Sequence, residues 1–257
     1  MNQPNPRRWA ILAVLCLSLL MVVIDNTIVN VALPTLSSDL DASITDLQWV
    51  VDAYTLVFAA LLLAFGHLGD RFGRKRALQL GLVLFAATSL LAAFATTSGQ
   101  LIGARALMGV GAALVFPATL AILVNVFTER KERATAIGIW SACTGLAVAL
   151  GPVTGGFLLE HFSWGSIFLV NLPLAAIALA LGATLVPNSK DADAGRMDYP
   201  GLLLSASGIA LIVWAIIEAP GRGWTSPSIM LAGSVGLLLI VVFAWWEQRL
   251  SHPLLDV

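Results

Sequence analysis

Polar residues interrupt this chain rarely and in clusters. Between the clusters lie eight apolar runs, at 9–33, 47–65, 77–96, 101–127, 134–158, 165–186, 201–218 and 228–246. At 1.5 Å of helical rise per residue each can cover the ~30 Å hydrocarbon layer of a bilayer, some of them with tilt. The pattern predicts an all-α polytopic membrane protein of eight spans. The first run follows Arg7 and Arg8, as a signal peptide's apolar region would. It is far longer than such a region and lacks a small-residue cleavage site, so it reads as a retained first span.

Composition agrees with the pattern: 58% of the 257 residues are hydrophobic and 11% are charged. Mean hydropathy is +0.89, more than a soluble core requires. The net charge of −1 carries little information, whereas the placement of charge carries much. With the N-terminus inside, Arg7, Arg8, Arg71, Arg74, Lys75, Arg76, Arg130, Lys131, Arg133, Lys190, Arg196 and Arg249 all fall on the cytoplasmic side. Arg222 alone lies outside, and Arg105 lies within a span. That bias predicts both termini inside. The outer segment Thr35–Asp46 holds Asp39, Asp41 and Asp46 without a cation, and reads as a solvated loop or a weak attractor of cationic solutes. Cys16 and Cys143 lie in apolar runs, against a disulfide or a zinc site, and no metal or cofactor is expected.

The densest polar cluster is Gly66–Leu78, with four cations and one carboxylate between two apolar runs. It is expected to be a short loop in water, with Gly66, Gly69 and Gly73 allowing a tight turn and Asp70 within reach of Arg71 and Arg74. The longest polar stretch, 187–198, follows the sixth span and reads as a cytoplasmic linker. The expected organisation is therefore a six-span bundle over 1–186, the linker over 187–198, and a two-span hairpin over 199–257. The closing residues Glu247–Val257 look like the approach to a further helix.

Three charges sit within spans. A carboxylate at the depth of Asp25 is costly and by default marks a pathway or proton site, the alternative being a structural pairing with Arg105. Asp25, Asn26 and Asn30 fall within an arc of about 140° on a helix, a stripe that must face a cavity or other helices. Asp52 lies nearer the outer end of its span, where it can contact a cation or simply snorkel to water. Beside it, Trp49 and Tyr54 suit an interfacial belt or an aromatic wall for an organic cation. Arg105 cannot shed its charge, so its burial demands a partner. Helical rise places Asp25 roughly 12 Å, Arg105 roughly 6 Å and Asp52 about 5–8 Å below the outer ends of their spans. An Arg105–carboxylate pair is thus geometrically allowed, and protonating Asp25 would release it. Asp25 followed by Pro34, and Arg105 followed by Pro117, give a weak hint of an inverted three-helix repeat.

The fifth span is rich in small residues. Gly138, Gly145, Pro152 and Gly156 fall within about 40° of one another, and Gly151 with Gly155 forms a second small face. Such faces let helices approach closely, and proline weakens the backbone ladder locally. Ordinary close packing is the plainer reading.

These stretches resemble motifs of the major facilitator superfamily. Gly66–Leu78 is similar to its signature Gly-x-Leu-Ala-Asp-Arg-x-Gly-Arg-Lys-x-x-Leu, with Gly69 in place of Ala. The fifth span resembles the antiporter motif Gly-x8-Gly-x3-Gly-Pro-x2-Gly-Gly through Gly138, Gly151, Pro152, Gly155 and Gly156, with Ala147 replacing the second glycine. Leu101–Gly109 resembles Leu-x-x-x-Arg-x-x-Gln-Gly, with Met108 at the Gln position, and Asp25–Pro34 resembles a signature of the fourteen-span drug:proton antiporters. The two-span hairpin fits that group.

The resemblance implies that Asp25 is a proton site, Asp52 a cation-contacting acid and Arg105 part of the proton relay. Asn26, Asn30 and Tyr54 join Asp52 as candidate substrate contacts. Gly66, Asp70, Arg71, Gly73, Arg74 and Lys75 form a conformational loop. The expected activity is proton-coupled efflux of lipophilic or cationic small molecules across the cytoplasmic membrane, with protons and the bilayer as further partners and no nucleic acid. Alternating access needs two rocking bundles. The chain is therefore expected to need a missing C-terminal half or a partner chain, or else to be a non-transporting fragment. No nucleotide loop, metal-ligand cluster or nucleophile–base pair argues for an enzyme.

Overall fold

The computed structural model describes residues 6–190 and 198–249. All eight predicted spans are helices: α1 (Arg8–Asp39), α2 (Ile44–Phe72), α3 (Arg74–Ala93), α4 (Ser98–Val126), α5 (Arg130–His161), the pair α6 (Ser166–Leu169) and α7 (Asn171–Leu185), α8 (Tyr199–Arg222) and α9 (Pro227–Glu247). The central part of the expected linker (191–197, with Arg196) and the stretch from residue 250 lie outside the described residues.

Most helices outrun their apolar cores, which corrects two expected loops. Gly66–Leu78 is almost wholly helical, with α2 running through Asp70 and Arg71 and α3 starting at Arg74. The connection is the single residue Gly73, at φ 120°, a backbone conformation that a residue with a Cβ rarely adopts. Likewise α1 continues to Asp39 and α2 starts at Ile44, so the loop expected over 35–46 shrinks to the residues between them. A helix keeps its backbone bonds satisfied whether in lipid or in water, so charge alone does not end it. Capping does: Ser43 accepts from the Asp46 N–H while the Asp46 carboxylate accepts from the Ser43 N–H, fixing the start of α2.

The sixth span is broken. Pro173 has no N–H to offer the Leu169 carbonyl, and α6 ends at Leu169.

The packing pairs are those of two exchanged three-helix units. α2 lies along α4 as α5 lies along α1; α3 packs on α4 as α7 packs on α1; and α1 meets α4, as α3 meets α7, near the centre. The α1–α5 seam depends on small residues. A Cβ on Gly151 would run into the Thr27 side chain, and one on Gly155 would stand 2.9 Å from Ile28 Cγ1. The other small face of α5 is different: Gly138, Gly145 and Gly156 have nothing within 4 Å of a built Cβ, and Pro152 is exposed. The two faces read from the sequence are therefore one packed and one open.

The hairpin α8–α9 lies against α2. Trp49 Nε1 donates to Glu218 Oε1 (3.0 Å), and Arg222 Nε donates to Glu218 Oε2 (2.8 Å). At its other end Trp246 Nε1 reaches both Asp198 oxygens, at 3.1 and 3.0 Å, so Asp198, at the edge of the expected linker, belongs to the hairpin's own closure.

Candidate functional site

The centre of the bundle holds an ion pair with no exposure on either side. Asp25 of α1 and Arg105 of α4 are both 0% accessible, and Arg105 Nη1 donates to Asp25 Oδ2. Sequence spacing allowed Arg105 to meet either acid; the fold gives it Asp25. Arg105 Nε donates to the Val50 carbonyl at 3.1 Å, and Nη1 also lies 4.0 Å from Met108 Sδ, the side chain that stands where the motif has Gln. Its guanidinium carbon lies 4.3 Å from the centroid of the Tyr54 ring, a cation–π contact between two buried side chains.

Tyr54 thus meets a cation, but an internal one. It is 1% exposed and its hydroxyl donates to the Val22 carbonyl at 3.1 Å, which places it in the ionic centre. The polar stripe of α1 divides in the same way. Asp25 points inward, whereas Asn26 is half-buried and donates to Thr55 Oγ1 (3.4 Å), and Asn30 is exposed. α1 continues past the C-terminal end of its apolar run, and Asp25 lies near the middle of the helix.

The second oxygen of Asp25 is held by a residue of the sixth span that the sequence reading passed over. Asn171, the first residue of α7, is fully buried and donates from Nδ2 to Asp25 Oδ1 at 2.7 Å and to Ser89 Oγ at 3.0 Å. A signal existed: Asn171 is an amide inside an otherwise apolar run, two residues before a proline. The carboxylate, the guanidinium and the amide are anchored from three different helices, α1, α4 and α7, so a shift between those helices changes their separation. The bond from Arg105 Nη1 to Asp25 Oδ2 is charge-assisted, and its strength changes whenever the carboxylate gains a proton.

Asp52 stands apart. It makes no hydrogen bond or ion pair among the described residues, and it lines a mainly apolar cavity of about 350 Å³ with Leu33, Ile44, Leu47, Gln48 and Val51. An unpaired acid on an apolar wall is suited to a lipophilic cation. At the basic end of the bundle, Asp70 Oδ1 accepts from Arg74 Nε at 2.5 Å across the Gly73 turn. Lys75 Nζ donates to the Ala183 carbonyl (2.7 Å), and the Arg74 N–H donates to the Ser189 carbonyl (3.0 Å), tying this turn to the end of the sixth span. Arg71 does not join Asp70; its guanidinium lies over the ring of Phe72. Gly66 and Gly69 are contact residues inside α2: a Cβ added to Gly66 would stand 3.4 Å from Pro117 Cβ, and one added to Gly69 would stand 3.3 Å from Ala77 Cβ.

Eight helices long and apolar enough to cross a membrane, a buried ionic centre and an unpaired acid at an open cavity define the class: a multi-pass membrane protein. The model of the Major Facilitator Superfamily matches residues 15–245, and the chain belongs to that family of transporters. It is 45% identical over 251 residues to the multidrug efflux pump LfrA of Mycolicibacterium smegmatis, which covers 98% of this chain and 50% of that protein. It is 44% identical to the puromycin resistance protein pur8 of Streptomyces alboniger, again over 98% of this chain and 50% of the relative. It is 40% identical to the methyl viologen resistance protein SmvA of Salmonella typhimurium, over 98% and 51% respectively. The chain thus spans about half the length of the curated relatives it matches. Among solved structures, a bacterial homolog of the human lysosomal transporter Spinster shares the fold with a TM-score of 0.58 at 17% identity, covering 95% of this chain and 62% of that one. Family and spans together make this a multi-pass protein of the cytoplasmic membrane.

Proposed function

We propose that this chain supplies the N-terminal part of a fourteen-span, proton-coupled exporter of lipophilic or cationic drugs. In this reading residues 1–186 form the first six-helix bundle, 187–198 a cytoplasmic linker and 199–257 the hairpin that leads toward the second half, with both termini inside. The observation that carries it is the buried Asp25–Arg105 pair, held from separate helices. A proton arriving at Asp25 cancels the charge that holds Arg105, and the helices carrying the two become free to shift. The relatives support export as the activity, since their names speak of multidrug efflux and of resistance to puromycin and to methyl viologen, the last a dication.

Each part has a role in that cycle. Asp25 and Arg105 couple the proton. Asp52, with Asn26 and Asn30 of α1, meets the cation; Tyr54 acts through Arg105. The Gly66–Lys75 segment is a conformational latch, because Asp70–Arg74 and Lys75–Ala183 bridge α2, α3 and α7 away from the ionic centre. The open face of α5, with Gly138, Gly145, Pro152 and Gly156, receives the second bundle. The match to only half of each relative favours a requirement for that bundle.

The test is transport in liposomes under an imposed pH gradient, using a monovalent cationic dye. The chain is assayed alone and fused after its hairpin to the second half of the mycobacterial relative. The fusion is expected to drive the dye uphill and the chain alone to fail. A correctly inserted fusion that ignores the gradient overturns proton-coupled export, and uphill transport by the chain alone overturns the need for a second bundle.

A further inference from the structure

We infer that Asn171 and Ser89 form a hydrogen-bond relay that carries the protonation state of Asp25 to the break in the sixth span, which makes both of them positioning residues for coupling. The inference rests on the reading of Asp25 as a proton site and adds the route by which its state reaches another helix.

The chain of bonds is continuous. Asn171 Nδ2 donates to Asp25 Oδ1 (2.7 Å) and to Ser89 Oγ (3.0 Å), and Ser89 Oγ in turn donates to the Phe168 carbonyl at 2.8 Å. Phe168, Ser89 and Asn171 are each fully buried. Phe168 lies in the short helix α6, beside the point where Pro173 deprives the Leu169 carbonyl of its donor. The relay therefore ends where the backbone of the sixth span is least held by its own ladder.

Donor and acceptor counting gives the relay its direction. A carboxylate only accepts, so Asn171 must present Nδ2 to Asp25; its Oδ1 is left buried with no hydrogen-bond partner. With a proton from the aqueous phase on its carboxyl group, Asp25 becomes a donor, and Nδ2 facing a carboxyl O–H is mismatched. Rotating the Asn171 amide by about 180° brings the orphaned Oδ1 to Asp25, where it accepts the new O–H. The same oxygen then faces Ser89, whose hydroxyl proton turns from the Phe168 carbonyl to the amide. Phe168 loses a partner, and one amide atom is orphaned in either state. No bond to carbon forms or breaks.

The charged or titratable side chains facing Asp25 are few. Arg105 comes from α4 and Tyr54 from α2, with its hydroxyl engaged by Val22. From α3 and α7 come Ser89 and Asn171, which do not titrate in water. α5 faces α1 through Gly151 and Gly155, and its Cys143 lies beside Cys16 and not beside Asp25.

The experiment uses the purified chain in lipid nanodiscs and two readouts against pH. Infrared difference spectra follow the carboxylic C=O stretch of Asp25, assigned by its loss in Asp25→Asn. Amide hydrogen exchange, corrected for intrinsic rates, follows the segment around Phe168. In the wild type, exchange at the break is expected to rise about fivefold as the Asp25 band appears, the loss of one hydrogen bond. In Ser89→Ala and Asn171→Leu the band is expected to titrate while exchange at the break no longer follows it. Ser89→Thr, which keeps the hydroxyl, restores the response, and the Ala/Thr pair carries the test if Asn171→Leu does not fold. A wild-type pH response retained in Ser89→Ala overturns the relay, as does an unresponsive break in a wild type whose Asp25 titrates. Absence of any titrating Asp25 band overturns the coupling reading and the relay with it.

Discussion

Arg105 reaches across the bundle to Asp25 with both side chains wholly buried, and it lies over the ring of Tyr54 while doing so. Neither charge is exposed at the surface, so each is tolerable only because of the other.

Removing one partner should therefore cost more than removing both. Asp25→Asn leaves a buried guanidinium without its counter-charge and is expected to destabilise the chain by ~3–5 kcal/mol. Asp25→Asn combined with Arg105→Met should recover much of that loss. Thermal unfolding of the purified chain in detergent measures both; a double variant no more stable than the single one would mean that the unpaired charge is not the cause.

In the assembled fusion, Asp25→Asn is expected to abolish pH-driven export of every substrate. Asp52→Asn should weaken export of a divalent dye and spare a monovalent one. Because Asp52 has no partner in the described structure, its replacement should change stability by no more than about 0.5 kcal/mol. If Asp25→Asn still drives either dye uphill, Asp25 is structural.

The latch predicts a split between rate and affinity. Asp70→Asn removes the negative charge that pairs with Arg74 across Gly73, a partly exposed pair worth at most about 1 kcal/mol. Turnover in the fusion should fall while equilibrium binding of the dye stays nearly constant. A large loss of binding at normal expression is the opposite of what a latch does.

The two faces of α5 should differ sharply. Gly151→Val forces a side chain into Thr27 and should lower the melting temperature of the chain by many degrees. Gly145→Ala on the open face meets nothing within 4 Å and should leave melting unchanged while impairing transport in the fusion. Equal destabilisation by both would mean that the open face is already packed.

Much of this architecture is legible without coordinates. Lipid leaves the backbone no alternative to helix, so each long apolar run declares a span, and the small residues of α5 sort into two faces by periodicity alone. What periodicity leaves open is the rotation of each helix against its neighbours. It put Asp25, Asn26 and Asn30 in one stripe, and packing divided that stripe between the ionic centre and the open side. It set Tyr54 beside Asp52, and packing turned one under Arg105 and the other to a cavity. Helix ends were also hidden, because Asp70, Arg71 and Arg74 are as comfortable in a helix emerging into water as in a loop.

The sequence by itself determined the number of spans, the helical class and which residues carry charge into the membrane, because the cost of a polar group in hydrocarbon is a local property of each residue. Only the tertiary structure decided who satisfies that cost. Arg105 met Asp25 and not Asp52, and Asn171, 146 positions along the chain from Asp25, completed the carboxylate's partners. Partner choice depends on how helices distant in sequence turn toward one another, and hydrophobic packing around the whole bundle sets those turns.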